Sequence, residues 1–192
     1  MVQENRRAFL RKAAATTTIT GGLLASTQSG AAVEYPDPVL KVKGDWGAGK
    51  YLLYVDDTDV EMGSSSYDAH FTEDGSNLYI NGSIDEGETH KFYSDHANLL
   101  HANLRGNVLF TVEGPLGANR YGDVDVECDS SSYLVAMTDS LSADGDTGEI
   151  KNGNQAIGSG DVEHQYYGEG AIHEIHCLAE GTGNSVIVDH NI

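Results

Sequence analysis

His173, Glu174, Ile175 and His176 come within one residue of the zinc protease motif, in which two histidines flank a general base. That chemistry, attack by a metal-activated water, needs both imidazoles on one face of a helix. Here glycines at 168, 170, 181 and 183 bracket a segment that alternates like a strand. Residues three apart on a strand point to opposite faces, so the spacing argues against one shared ion. Blue copper chemistry needs a histidine between its cysteine and methionine ligands, and none lies between Cys128 and Met137. Calcium would need oxygen ligands at alternate loop positions. Asp144, Asp146 and Glu149 in one loop, and Asp56, Asp57 and Asp59 in another, have that composition but depart from the helical calcium loop; a solvated acidic surface is the preferred reading.

Hydrolase chemistry finds no foothold either. No glycine-x-serine-x-glycine elbow is present, and serines, aspartates and histidines are too numerous for their presence to define a triad. Paired glycosidase carboxylates cannot be picked out by type alone, because they work only when their surroundings separate their pKa values. Thus no catalytic residue, metal or cofactor is assigned. Two features remain. His90 and His164 recur in similar contexts and are expected at half-exposed strand ends, with a facing pair as the alternative. Cys128 and Cys177, the only cysteines, either form a disulfide or remain two buried thiols. A bridge closing about fifty residues would contribute roughly 4 kcal/mol in the chain-entropy model.

The elements that must position these residues are strands. Val124, Val126 and Cys128 alternate with Asp123, Asp125, Glu127 and Asp129, giving one apolar face and one carboxylate face. Similar runs cover 39–43, 50–55, 77–84, 89–93, 108–113, 133–137, 162–167, 171–178 and 185–189, separated by glycine, asparagine and aspartate. Beyond the N-terminal segment, no stretch sustains a 3.6-residue apolar period for three glycine-free turns. The expected fold is therefore all-β, a β-sandwich or barrel.

Internal similarity refines this expectation. Gly47–Tyr51 matches Gly117–Tyr121; Gly82 and Ser83 recur as Gly158 and Ser159; His90, Lys91, Phe92 and Tyr93 recur as His164, Gln165, Tyr166 and Tyr167. The landmarks keep one order, which predicts two units, about 37–114 and 115–192. Each alone would bury little surface, so a shared core in a pseudo-symmetric sandwich is expected.

The landmarks Tyr51–Val55, Ile80, Gly82, Ile84, Gly87, Phe92, Tyr93 and Val108–Gly114 resemble an uncharacterised β module of secreted haloarchaeal proteins. Tyr121–Val126, Ile157, Gly158, Gly160, Tyr166, Tyr167 and Val186–Asp189 follow it less completely. That module often accompanies parallel β-helix or carbohydrate-active domains, so the resemblance implies an accessory or surface role. No catalytic residue transfers with it.

The chain opens with an address. Arg6 and Arg7, followed by Ala8, Phe9, Leu10, Arg11 and Lys12, resemble a twin-arginine export signal. The stretch from Ala13 to Ala25 contains four threonines and two glycines, too polar and short for a membrane span. Cleavage after Ala32 would leave 33–192 as the mature chain, soluble and outside the cytoplasmic membrane.

Of 192 residues, 39% are hydrophobic, enough for a modest core, and the formal net charge is -19. The first 32 residues carry Arg6, Arg7, Arg11 and Lys12 but only Glu4, so the remainder is more acidic still. Such a chain repels nucleic acid phosphates, and direct nucleic-acid binding is excluded on this ground. Its self-repulsion is relieved near molar salt, where the Debye length is about 3 Å. A halophilic, secreted, non-catalytic accessory or surface-binding protein is the reading that follows. The alternatives are a carbohydrate-binding module, using the ten tyrosines and Trp46 as stacking platforms, and a metal-dependent enzyme with its site where the two units meet.

Overall fold

Apolar side chains at alternate positions turn one face of each strand inward, and the longest strands run on through breaks expected from glycine, the alternation changing parity there. The computed structural model describes residues 39–94, 98–113, 121–144, 148–179 and 183–191. The expected export signal with Arg6 and Arg7, the segment 114–120 joining the two expected units, and Asp146 lie outside them. In chain order the strands are β1 (Val39–Val55), β2 (Glu61–Met62), β3 (Ala69–Asp74), β4 (Asn77–Ile84), β5 (Thr89–Tyr93), β6 (Leu99–Glu113), β7 (Tyr121–Met137), β8 (Ser140–Ala143), β9 (Glu149–Lys151), β10 (Gln155–Glu169), β11 (Ile172–Ala179) and β12 (Ser185–Asn191). No helix occurs among the described residues, and the fold is an all-β sandwich.

Four long strands serve both layers. Residues 39–43 of β1 lie between β5 and the C-terminal half of β6, whereas residues 49–55 lie between β4 and its N-terminal half. β7 and β10 divide in the same way. One layer therefore runs β2, β5, β1, β6, β11, β7, β10, β9 and the other β3, β4, β1, β6, β12, β7, β10, β8, all antiparallel. The passage between layers is written into the backbone at Trp46 (φ 79°), Gly106 (81°), Ser130 (46°) and Gly160 (96°). At Gly106 a Cβ would sit 2.6 Å from the Ala48 carbonyl oxygen, so only glycine fits. On β1 the buried positions are even-numbered up to Gly44 and odd-numbered from Gly49, the parity change that a bulge produces.

The pairing of β1 with β4, β5 and β6 is repeated by β7 with β10, β11 and β12. Tyr51 stands opposite Gly82 and Val42 opposite His90; Tyr133 stands opposite Gly158 and Val126 opposite His164. The counterpart of Tyr51 in this register is thus Tyr133, not the Tyr121 that sequence matching selects. The described residues belong to the unit Tyr35–Ile192 and share one apolar core. Where β6 meets β11 and β12 that core contains Val108, Phe110, Ile175, Cys177, Val186 and Val188, all buried. Burying a side chain the size of Phe110 stabilises by about 1.5–3 kcal/mol.

Candidate functional site

Glycine on one strand lets a tyrosine on the next lie flat across it. A Cβ on Gly82 would stand 2.4 Å from the Tyr51 hydroxyl oxygen, and one on Gly158 would stand 2.6 Å from the Tyr133 ring. Laid over the glycine, each hydroxyl reaches a histidine: Tyr51 Oη is 2.7 Å from His90 Nδ1, and Tyr133 Oη is 2.7 Å from His164 Nδ1. Each histidine is engaged by the tyrosine of its own half. His90 is 2% exposed and stacks on Tyr67 with ring centres 4.2 Å apart, so it is a core residue and not the half-exposed strand end expected. Burial lowers its pKa, with Glu88 and Asp68 opposing. Tyr133 also meets the Tyr166 hydroxyl at 2.6 Å, which accepts from the Gly148 amide at 2.9 Å.

These pairs are built for cohesion. Burial first raises the pKa of Tyr51 and of Tyr133, far from the range in which a phenolate could act as a base at neutral pH. The other sequence candidates are dispersed. A bulge at His173 takes it out of the β11 alternation, and His176 Nε2 lies 3.0 Å from Glu174 Oε1. Among the described residues, no three histidine, cysteine, aspartate or glutamate side chains are grouped to hold a metal ion. Cys128 and Cys177 are both buried and are thiols in this structure. Cys128 Sγ approaches the Ser131 hydroxyl at 3.2 Å and its carbonyl at 3.3 Å. Burial, then the neighbouring Cys128, pushes the Cys177 thiol up to about 12.

Functional groups open to solvent gather instead on the outer face of the second layer, where β7, β10 and β12 pair. Alternation that buries Val124, Val126 and Tyr166 presents Tyr121, Asp123, Asp125 and Glu127 on β7 and Glu163, Gln165 and Tyr167 on β10. In register, Tyr121 faces Glu169, Asp123 faces Tyr167, Asp125 faces Gln165, and Glu127 faces Glu163. Asp125 also faces Asp189 of β12. A shallow cleft of about 180 Å³ lies among Asp125, Glu127, Glu163, His164, Gln165 and Asp189. Its edge is fixed by His101 Nδ1, 2.6 Å from Asp189 Oδ1. Tyr121 and Tyr167, 56% and 45% exposed, stand at one end of this track. A hydrogen bond to Glu169 raises the Tyr121 pKa, keeping its hydroxyl protonated. Farther along the same outer face, the Tyr54 and Tyr79 rings stack at 4.2 Å, with Tyr54 Oη donating to Asp74 Oδ2 at 3.1 Å.

Such a surface offers hydrogen-bond acceptors in a row and aromatic rings beside them. Sequence reasoning singled out the alternating carboxylates of β7 but missed their pairing with β10, because nothing in 155–169 announces which strand it will join. The class defined is an acidic β-sandwich with a polar, aromatic-edged outer face. No family model, curated protein or solved structure matches the chain.

Proposed function

We propose that this chain is a secreted, non-catalytic binding protein, exported by a twin-arginine signal and adapted to concentrated salt, whose ligand is a neutral glycan of a cell surface or extracellular matrix. One observation carries the reading: exposed Tyr121 and Tyr167 adjoin a cleft lined by Asp125, Glu127, Glu163 and Gln165 on a single sheet face. Sugar rings present apolar C–H faces that pack on aromatic side chains, and hydroxyls that donate to carboxylates and amides. Anionic ligands are disfavoured by the same carboxylates, and molar salt leaves stacking and short hydrogen bonds as the effective contacts. The outer face thus suits an accessory or surface-binding role, with carbohydrate as the bound chemistry.

The test is a glycan array in molar sodium or potassium chloride. Wild-type protein is expected to retain a subset of neutral glycans, and Tyr167→Ala and Asp125→Asn to lose that signal while remaining folded. Retention of no glycan, or retention unaffected by both changes, removes the reading.

A further inference from the structure

The two halves turn the same corner between layers with different amounts of chain. Val42 and Tyr51 hold the same register places as Val126 and Tyr133, yet the first pair is nine positions apart and the second seven. The opposing strands differ in the same way, eight positions from Gly82 to His90 and six from Gly158 to His164. In the second half Asp129 and Ser130 alone oppose Asp161, whose carboxylate accepts from the Ser130 amide at 2.7 Å and hydroxyl at 2.8 Å. In the first half Asp45–Ala48 stand against Asn107 alone. The turn 85–88 is tied to this bulge, with the Gly44 amide donating to the Glu88 carbonyl at 3.2 Å and the Gly87 amide to the Gly44 carbonyl at 2.9 Å.

The longer corner is therefore a small lobe that the bend itself does not require. At its centre is Trp46, the only tryptophan, 76% exposed and at φ 79°, a left-handed conformation that costs a bulky residue strain. Bulges re-aim side chains, and here the re-aimed side chain is the most exposed large hydrophobic group described. Asp45, Asp85, Glu86 and Glu88 belong to the same two tied segments, with Asp45 paired to Lys43 and the Glu88 carboxylate accepting from the Asp85 amide at 3.2 Å. An exposed indole face matches the apolar C–H face of a sugar ring, whereas the acidic balance of the two segments opposes an anionic membrane surface.

We propose that the Asp45–Ala48 lobe is a second carbohydrate contact, with Trp46 as its stacking platform for a neutral pyranose ring. This rests on the glycan reading of the outer face and adds a site separate from Tyr167. Because Trp46 is the sole indole, its emission reports contact directly. In molar salt, titration with soluble mannan and soluble β-glucan is expected to shift that emission for at least one of them. Trp46→Ala and Trp46→Gly are expected to weaken binding of that polysaccharide about tenfold, measured by affinity electrophoresis. Trp46→Gly should also keep or raise the thermal midpoint, since glycine accepts the left-handed backbone. The proposal is overturned by unchanged affinity in both variants while Tyr167→Ala abolishes binding, a result that leaves the outer-face reading standing. It is overturned as well by an emission shift with anionic phosphatidylglycerol vesicles in place of polysaccharide. Absence of binding by the wild type to either polysaccharide overturns it, while the glycan reading of the outer face stands or falls by the array.

Discussion

The Tyr133 hydroxyl lies 2.7 Å from His164 Nδ1, the same separation that joins Tyr51 to His90 in the other half. The two pairs differ in their surroundings. His90 is buried and stacked on Tyr67, whereas His164 is only half-buried. Removing the hydroxyl should therefore have unequal effects. Tyr51→Phe leaves a buried imidazole nitrogen without its partner and is expected to cost about 1–3 kcal/mol. Tyr133→Phe, measured in a Tyr166→Phe background so that the buried Tyr166 hydroxyl is not also stranded, leaves only the half-buried His164 without its partner and is expected to cost less. Chemical denaturation of both variants in molar salt checks this; equal losses would count against the difference in burial as its cause.

His90 also sets a pH dependence. Its pKa in the folded state is lowered from 6.5 by burial, so below that value the unfolded chain binds a proton that the folded chain resists. Stability is complete above pH 6.5 and declines as the pH falls toward the folded-state pKa. Thermal midpoints between pH 5 and 8 should show this decline, and His90→Asn should flatten it. A stability that rises on acidification through this window contradicts the assignment.

The glycines under the two tyrosines give a sharper test. All three nearest atoms to a Cβ on Gly158 belong to Tyr133, whereas a Cβ on Gly82 also meets the Asp68 carbonyl oxygen at 2.6 Å. Either alanine substitution is expected to destabilise by about 1–3 kcal/mol through overpacking. In a Tyr133→Ala background Gly158→Ala should become nearly neutral, while Gly82→Ala should stay costly in a Tyr51→Ala background. Double-mutant cycles measure the difference. Additive losses at 133 and 158 would mean that the ring is not what the added methyl group strikes.

These pairs also mark where the sequence stops being readable. Alternation located β4 and β5 at their observed limits, since 77–84 and 89–93 end at acidic and polar turns. The same alternation split β1 and β7 in two. Asp45–Ala48 and Ser130 look like turns locally, yet hydrogen bonds to neighbouring strands carry the chain through them as bulges. The match of Tyr51 to Tyr121 failed for a related reason. What is repeated is a tyrosine opposite glycine with its hydroxyl at a histidine, and the residues flanking Tyr133 keep none of the Gly-Ala-Gly-Lys context. The short strands β2, β3, β8 and β9 are outer or edge pieces with little burial and no clear periodic signal. Of the cleft, the β7 carboxylates were legible, while Glu163 and Asp189 joined them only through register.

The buried thiols predict a reactivity pattern. With the Cys177 pKa near 12, its thiolate is scarce at neutral pH, and Cys128 is enclosed beside Ser131. Iodoacetamide should label neither cysteine rapidly in native protein and both after unfolding without reductant. Recovery of an unlabelled, linked 128–177 peptide pair after unfolding would show instead that the protein carries the disulfide.

Opposed carboxylates place a physical demand on the outer face. Like charges directly opposite on neighbouring strands destabilise a sheet, and here Glu127 faces Glu163 while Asp125 faces Asp189. His101 beside Asp189 relieves only one of these contacts. Each opposed pair costs on the order of 0.2–1 kcal/mol in dilute buffer. Near molar salt, with a Debye length of about 3 Å, the longer-range part of this repulsion is removed. Folding followed by circular dichroism should improve from low to molar salt. The triple change Asp125→Asn, Glu127→Gln and Glu163→Gln should shift the midpoint of that dependence to lower salt, because it removes both opposed pairs and leaves the core unchanged. The same number of neutral substitutions at exposed Glu73, Asp74 and Glu86 should shift it less, since none of these is cross-strand to another carboxylate in the register described. Equal shifts from the two sets would assign the salt requirement to net charge alone; a wild type equally stable at both salts would remove the halophilic reading altogether.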